Sequence, residues 1–329
     1  METKFKALVA EENADGKVWI SLKEKSISEL PDNEVLIKVH YSGLNYKDAL
    51  SASGNRGITK KYPHTPGIDA SGVVAESKVP EFKEGDEVIV TGYDMGMNTS
   101  GGFAEYIRVP ASWIVRKPED LSFEEAMILG TSGFTAGIGI YEFINHGVKP
   151  ESGEILVTGA TGAVGSIAIA MLAKAGYHVV AVSGKPEATE WLKKLGAERI
   201  IPREEADDTT GRPLLSGKWA AVLDTVSGNI LSTAIRSTKE HGIIANCGMI
   251  ASNTLNVSVF PFILRSVRLV GIASAETPMA KRLQVWDLVQ KLKPENLKEI
   301  AKTVTLEGVP DELKLMLEGK QKGKVIVKV

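Results

Sequence analysis

Two hydrophobic periods divide this chain. Up to residue 121 the apolar stretches are short and strand-like, at 5–10, 18–22, 34–41, 72–75, 87–90 and 103–109. Turn signals separate them: Asp15-Gly16, Pro31-Asp32-Asn33 and Glu84-Gly85-Asp86. In the third stretch Val35, Ile37 and Val39 alternate with Leu36, Lys38 and His40, the period of a strand. Many short strands in succession predict a mostly β, partly open barrel. Near Ser122 the period changes. Ser122, Phe123, Glu124 and Glu125 read as a capping box, and 130–144 continue at helical spacing. From 154 to 274 apolar runs alternate with helical segments, with later strands expected at 220–224, 242–247 and 269–274. Such alternation predicts an α/β, doubly wound parallel sheet. A helix is expected at 278–291 and a last strand at 323–329. The expected division is a β-rich domain of 1–121 with 296–329, and an α/β domain of 122–295 inserted into it.

The stretch 154–185 carries the clearest chemistry. Ile155, Leu156 and Val157 suit a buried strand, and Gly159, Gly162 and Gly165 follow at three-residue spacing. Ile167, Ala168, Met171, Leu172 and Ala175 then recur at helical spacing, Gly176 stops the helix, and 179–182 form a second apolar run. Strand, glycine turn, helix and strand make one βαβ unit of dinucleotide-binding type. The glycines allow a tight turn, a close approach to a pyrophosphate and close helix–strand packing, with the phosphates on the helix N-terminus. The spacing departs from G-x-G-x-x-G, because Ala160 stands at the first glycine position. A glycine turn that only packs a helix onto a sheet has the same residues.

The end of the second strand bears on the choice of cofactor. NAD sites end that strand in Asp or Glu, about 20 residues past the fingerprint. Here Ser183 stands 21 residues after Gly162, followed by Gly184 and Lys185, and Arg203 follows the next apolar pair, Ile200-Ile201. A hydroxyl and two cations without a carboxylate suit a 2′-phosphate, so NADPH is expected over NADH. Solvated surface cations are the other reading of Lys185 and Arg203.

Composition narrows the class. The chain has 329 residues, 43% hydrophobic and 24% charged, with a formal net charge of −2. Two domains with sizeable cores are expected, and no basic block suggests nucleic acid. Cys247 is the one cysteine, which excludes an internal disulfide and a cysteine-rich zinc module. The N-terminal segment is charged where a signal peptide is apolar, and no run of 18 apolar residues occurs. A cytoplasmic protein without membrane association is expected.

The runs Leu44-Asn-Tyr-Lys-Asp-Ala-Leu50, Pro66-Gly-Ile-Asp69, Gly130-Thr-Ser-Gly-Phe-Thr-Ala136, Val182-Ser-Gly-Lys185 and Pro261-Phe-Ile-Leu-Arg265 resemble the medium-chain dehydrogenase/reductase superfamily. Within it they resemble quinone oxidoreductases of the YhdH/YhfP type, which include acryloyl-CoA reductases. The resemblance covers essentially the whole chain and implies a GroES-like domain beside the Rossmann domain. Zinc-dependent members place ligands at positions matched here by Asn45, Ile68 and Thr131. That set does not suit a catalytic zinc, which needs three protein ligands. His40, His64, His146, His178 and His241 have no metal-like spacing.

Without a metal, the implied chemistry is hydride transfer from NADPH to a small electron-poor acceptor, a quinone or an enoyl-CoA such as acryloyl-CoA. The resemblance implies that Asn45, Tyr46 and Asp48 form a polar loop at the acceptor, with Asn45 as an oxygen donor, Tyr46 as a cofactor or acceptor contact, and Asp48 orienting the loop. A buried, satisfied tyrosine and a turn-capping asparagine are the alternatives. Cofactor contacts carry over to Thr161, Gly162, Ala163 and Val164 at the phosphates and to Ser183, Gly184, Lys185 and Arg203 at the 2′-phosphate. Met249, Ile263 and Ser274 match positions beside the nicotinamide, with core packing (Met249, Ile263) and a strand-end cap (Ser274) as their alternatives. Arg56, Lys60 and Lys61 are either contacts for a CoA phosphate or solvated cations. Cys247 is expected to be inert. A homodimer is implied, its sheet extended along 269–273. A non-enzymatic NADPH-binding sensor or structural protein shares the fingerprint; the polar loop favours the enzyme.

Overall fold

A computed structural model describes residues 3–329. The chain divides into two compact units: 1–132 with 275–284 and 298–329, and 133–274 with 285–297.

The first unit begins with an antiparallel hairpin, β1 (Lys4–Glu12) and β2 (Val18–Ser26). Then come β3 (Val35–Gly43), α1 (Tyr46–Ala52), β4 (Asp69–Ser77), β5 (Glu87–Thr91), β6 (Tyr106–Val109) and β7 (Ile114–Arg116). The capping box forms as expected: Ser122 N–H donates to Glu125 and Glu125 N–H to Ser122 Oγ. It opens α2 (Phe123–Asn145), which breaks its helical geometry at Gly130, φ 42 and ψ −148. By length and composition α2 qualifies for a membrane crossing, but 78% of its apolar window is buried inside the protein.

The second unit holds β8 (Ile155–Val157), α3 (Ala163–Lys174), β9 (Val179–Val182), α4 (Thr189–Lys194), β10 (Ala197–Ile201), β11 (Trp219–Asp224), α5 (Gly228–Arg236), β12 (Thr238–Asn246), α6 (Phe260–Arg265) and β13 (Arg268–Gly271). All six strands run parallel in the order β10-β9-β8-β11-β12-β13. That is the 3-2-1-4-5-6 order of the dinucleotide fold, which reverses between β8 and β11. The inner strands β8, β9 and β11 are fully buried: Leu156, Val180 and Val222, with Ile244 of β12, pack with Leu231 and Ile235 of α5.

The last part of the chain supplies α7 (Met279–Lys291), β14 (Ala301–Thr305), α8 (Val309–Leu317) and β15 (Lys324–Lys328). As the apolar pattern of the tail implied, β15 returns to the first unit, between β14 and β3. The resulting sheet runs β14-β15-β3-β4-β5-β7, with β6 also on β3, and ends at β14 and β7 without closing. Insertion between β14 and β3 buries β15 on both sides, and this matters for its first residue, Lys324.

Candidate active site

In the first unit the site is built where β3 ends. Leu44 N–H donates to Val325 O, which fastens the chain to β15, and α1 starts at Tyr46. The expectation of a loop is thus corrected: Tyr46 and Asp48 lie on the first turn of a short helix. Asp48 is fully buried. Its Oδ2 accepts from Asn45 N–H at 2.8 Å and its Oδ1 from Gly67 and Ile68 N–H at 3.1 and 2.9 Å. Asp48 therefore orients the loop by pinning α1 to the 66–69 turn. Burial, then the charge of Asp69, pushes its carboxyl up to about 7, against the Asn45 and Ile68 N–H donors and the Lys324 ammonium.

Asn45 differs from its expected role. Its Nδ2 donates to Gly43 O at 3.1 Å and Asp69 Oδ2 at 2.8 Å, so both amide hydrogens are engaged. Its Oδ1 accepts from Lys324 Nζ at 3.0 Å and Ser132 Oγ at 3.4 Å. The amide has no hydrogen to offer an acceptor oxygen, and Asn45 stands at the N-cap of α1. Tyr46 is 55% exposed beside these buried neighbours, which excludes the buried-tyrosine alternative.

Asp69, at the start of β4, receives Thr131 N–H at 3.0 Å and Thr131 Oγ1–H at 2.5 Å. The break at Gly130 makes room for this: a Cβ there would lie 2.6 Å from Asp69 Oδ2. Lys324 Nζ is fully buried and donates to Leu44 O at 3.0 Å. Asp69 and Lys324 were not singled out from the sequence. Lys324 stands at the head of the apolar run Val325-Ile326-Val327, where a lysine reads as solvent-facing, and only the assembled sheet reveals its burial.

The donor set does not fit a catalytic zinc. Ile68 has no donor atom, the Asn45 amide is fully engaged, and the Thr131 hydroxyl is committed to Asp69. Among the described residues no three His, Cys, Asp or Glu side chains cluster as ligands. Arg56 is half-exposed, its guanidinium held by Glu12 and by Lys60 O, which agrees with the reading as a surface cation.

In the second unit the fingerprint turn joins β8 to α3. Gly159 has φ +59, and a Cβ there would fall 2.0 Å from Thr225 Oγ1. At Gly165 a Cβ would lie 2.4 Å from Gly159 O, so α3 packs directly on its own turn. Gly162 is the N-cap and no side chain caps the helix, which leaves the N-terminus over Ala163 and Val164 to a ligand. At the tip of β9, Lys185 N–H donates to Ser183 Oγ at 3.1 Å. Arg203 lies across Gly184, whose missing Cβ would be 2.9 Å from its Nε. The turn and these four residues fit a phosphorylated dinucleotide.

The C-terminal ends of the central strands meet at Asp224, which the sequence reading missed. Fully buried, it accepts from Thr158 Oγ1, Ser227 N–H and Asn246 Nδ2 at 2.7, 2.8 and 2.8 Å. It thereby holds together the ends of β8, β11 and β12 around the phosphate turn. Burial, then the charge of Asp224, pushes the Cys247 thiol up to about 12, so it is a poor nucleophile. Met249 is 71% and Ile263 66% exposed, which excludes their core-packing alternative. Ser274 follows the end of β13 and is half-buried.

Comparison with known proteins agrees with both units. Residues 31–119 match the family model described as an alcohol dehydrogenase GroES-like domain, and 163–291 the one described as a zinc-binding dehydrogenase. An acrylyl-CoA reductase, AcuI, from Ruegeria pomeroyi is 39% identical over 99% of both chains. The crystal structure of the yhdH oxidoreductase from Salmonella enterica in complex with NADP superposes with a TM-score of 0.96, at 41% identity, over 98% of this chain and 99% of that one. Bacillus subtilis yhfP, crystallised with NAD bound, gives 0.97 at 44% identity over 99% and 100%. A GroES-like unit and a six-stranded parallel unit in one chain define a medium-chain dehydrogenase/reductase. This chain belongs to the YhdH/YhfP type of that superfamily.

Proposed function

We propose that the protein is a zinc-independent, NADPH-dependent reductase that transfers hydride to a small electron-poor acceptor, with acryloyl-CoA foremost and quinones as the alternative. The carboxylate-free tip of β9, with Arg203 laid over Gly184, carries the cofactor reading. The 39% identity to an acrylyl-CoA reductase over the full chain carries the acceptor. The 122–295 segment serves as the coenzyme domain and 1–121 with 296–329 as the catalytic domain. Thr161, Gly162, Ala163 and Val164 hold the pyrophosphate; Ser183, Gly184, Lys185 and Arg203 hold the 2′-phosphate; Met249, Ile263, Ser274 and Tyr46 serve the nicotinamide end.

Bound there, NADPH supplies a hydride. For an enoyl thioester that hydride would go to the β-carbon, the double-bond electrons to the thioester oxygen, and a proton drawn from solvent would complete the α-carbon. The protein has to orient the acceptor, exclude water and steady the oxygen. We assign acceptor contact to the exposed Tyr46, and positioning of that residue to Asn45 and Asp48 behind it.

NADPH oxidation should be followed with acryloyl-CoA and, separately, with benzoquinone. A higher kcat/KM for acryloyl-CoA is expected. A preference for benzoquinone would reassign the acceptor. NADPH binding with no turnover of either would favour a sensor. Because yhfP was crystallised with NAD, coenzyme choice needs its own test. Arg203→Ala should raise the Kd of NADPH about 10–100-fold while leaving NADH nearly unchanged, since the loss is of charge-assisted bonds to one phosphate. Equal losses for both coenzymes would remove the 2′-phosphate argument.

A homodimer belongs to the same reading. β13 is the open edge of the parallel sheet, and beside it Val259, Ile263 and Leu264 are 63%, 66% and 59% exposed. Light scattering should give twice the chain mass; a monomer at micromolar concentration would contradict it. The cytoplasm is proposed as its location, on the single cysteine alone.

A further inference from the structure

Lysines are almost never fully buried without a partner, because taking an ammonium out of water costs several kcal/mol. Lys324 is fully buried and its Nζ meets oxygens from three separate stretches of the first unit. These are Leu44 O and Asn45 Oδ1, both at 3.0 Å, Asp69 Oδ2 at 3.5 Å and Ser132 Oγ at 3.5 Å. Room for it is left by Gly43, where a Cβ would stand 3.1 Å from both Lys324 Nζ and Asp69 Oδ2. Two of the three positions that zinc-dependent members use as ligands, Asn45 and Thr131, are bound to Asp69, the carboxylate beside this ammonium.

We infer that Lys324 is a positioning residue for the acceptor site, its buried ammonium cross-linking the Asn45 loop, the Asp69 strand and the α2 kink as a metal ion would. The ammonium cannot touch substrate, since no part of it is exposed. It holds the Asn45 side chain and the Leu44 carbonyl, and so fixes where α1 starts and where Tyr46 stands. A buried ion pair is weak evidence for a stabilising role, because apolar replacements of such pairs are often neutral. Fixing one geometry for the loop is the gain that offsets its desolvation. The inference rests on the reductase reading of that loop, so its test needs a readout independent of turnover.

Lys324→Met should be compared with the double variant Lys324→Met/Asp69→Asn. The single change leaves Asp69 without its cation and should lower the melting temperature. In the double variant the new amide oxygen still accepts from Asn45 Nδ2 and Thr131 N–H, and its NH2 donates to Thr131 Oγ1. Melting should therefore return close to the parent. Amide exchange across 43–50 in the unliganded double variant should nevertheless be about tenfold faster or more. Its kcat should fall about 10–100-fold, the usual cost of losing an outer supporting group, at unchanged Kd for NADPH. Parental exchange and parental kcat in the double variant would overturn the inference and leave Lys324 as a neutraliser of Asp69. If the parent reduces no acceptor, the reductase reading fails, and exchange alone decides the role of Lys324. Should the double variant not fold, Gly43→Ala keeps every charge while crowding Nζ; faster exchange with lower kcat supports the inference, and parental values overturn it.

Discussion

Gly165→Ala should cost about 3 kcal/mol, at the upper end for one added methyl group in a packed core. Backbone conformation is not the obstacle, since Gly165 sits in α3 with ordinary helical geometry. Space is. The new Cβ would stand 2.4 Å from Gly159 O and 2.9 Å from Ala160 Cα, both backbone atoms. The turn cannot retreat, because Gly159 is wedged against Thr225. The helix cannot retreat cheaply either, because every residue from Gly165 to Leu172 is buried. Gly162→Ala is the control: its Cβ would meet only Gly159 O, at 3.3 Å, so a cost below about 1 kcal/mol is expected. Thermal melting of the unliganded proteins separates the two by several degrees. NADPH affinity should fall in both, since Gly162 is itself assigned to the pyrophosphate, so melting without the cofactor is what separates packing from binding. Equal melting temperatures for Gly165→Ala and the parent would mean that the turn yields, and the packing argument for the third glycine would fail.

That glycine was legible in the sequence because its partners are near: Gly159 and Ala160 lie six and five residues back. The same locality explains why the βαβ unit, the capping box at Ser122 and the return of the tail as a strand were readable. Several short elements escaped, β7 and α1 among them. Strand β7 is three residues long, and α1 is a seven-residue helix with too few positions to show a period. The chemistry of the first unit escaped for another reason. Asn45 and Lys324 are 279 residues apart, and Asn45, just ahead of α1, lies 24 residues from Asp69 at the head of β4. Nothing in a one-dimensional pattern marks a lysine at the head of a strand as buried. Insertion of β15 between β14 and β3 buries it, and that order is a property of the assembled sheet. The resemblance to a family identified Asn45 as a site residue, but only its completed hydrogen bonds turn it from a donor for substrate into a support for its neighbour.

Asp48→Asn should flatten the pH dependence of stability that this cluster imposes. Two effects compete at Asp48. Three backbone N–H groups favour the carboxylate, while complete burial and the nearby Asp69 charge favour the acid; the acid gains, with the carboxyl raised from 3.8 to about 7. Between those two values the folded protein holds a proton that the unfolded chain has lost. Stability from Asp48 is therefore fully present below about pH 4 and is lost as pH rises through about 7. Lys324 acts in the opposite sense on the alkaline side, because burial lowers its pKa and its contribution is lost as pH falls through the folded value. For Asp48 the loss between pH 5 and pH 8 is about 3 kcal/mol, two proton-binding units at ~1.4 kcal/mol each. The amide variant keeps its oxygen toward Gly67 and Ile68 N–H but sets an NH2 against Asn45 N–H. It should therefore be less stable than the parent at pH 5, and should draw level or pass it by pH 8. Urea titrations of both proteins at the two pH values measure this difference, with groups common to both cancelling. Parallel stability curves would show that the three N–H donors outweigh burial and that Asp48 is an ordinary carboxylate. A crossing would show that the first turn of α1, which bears Tyr46, is held by a group titrating near neutral pH, so that its rigidity varies with the pH at which the enzyme works.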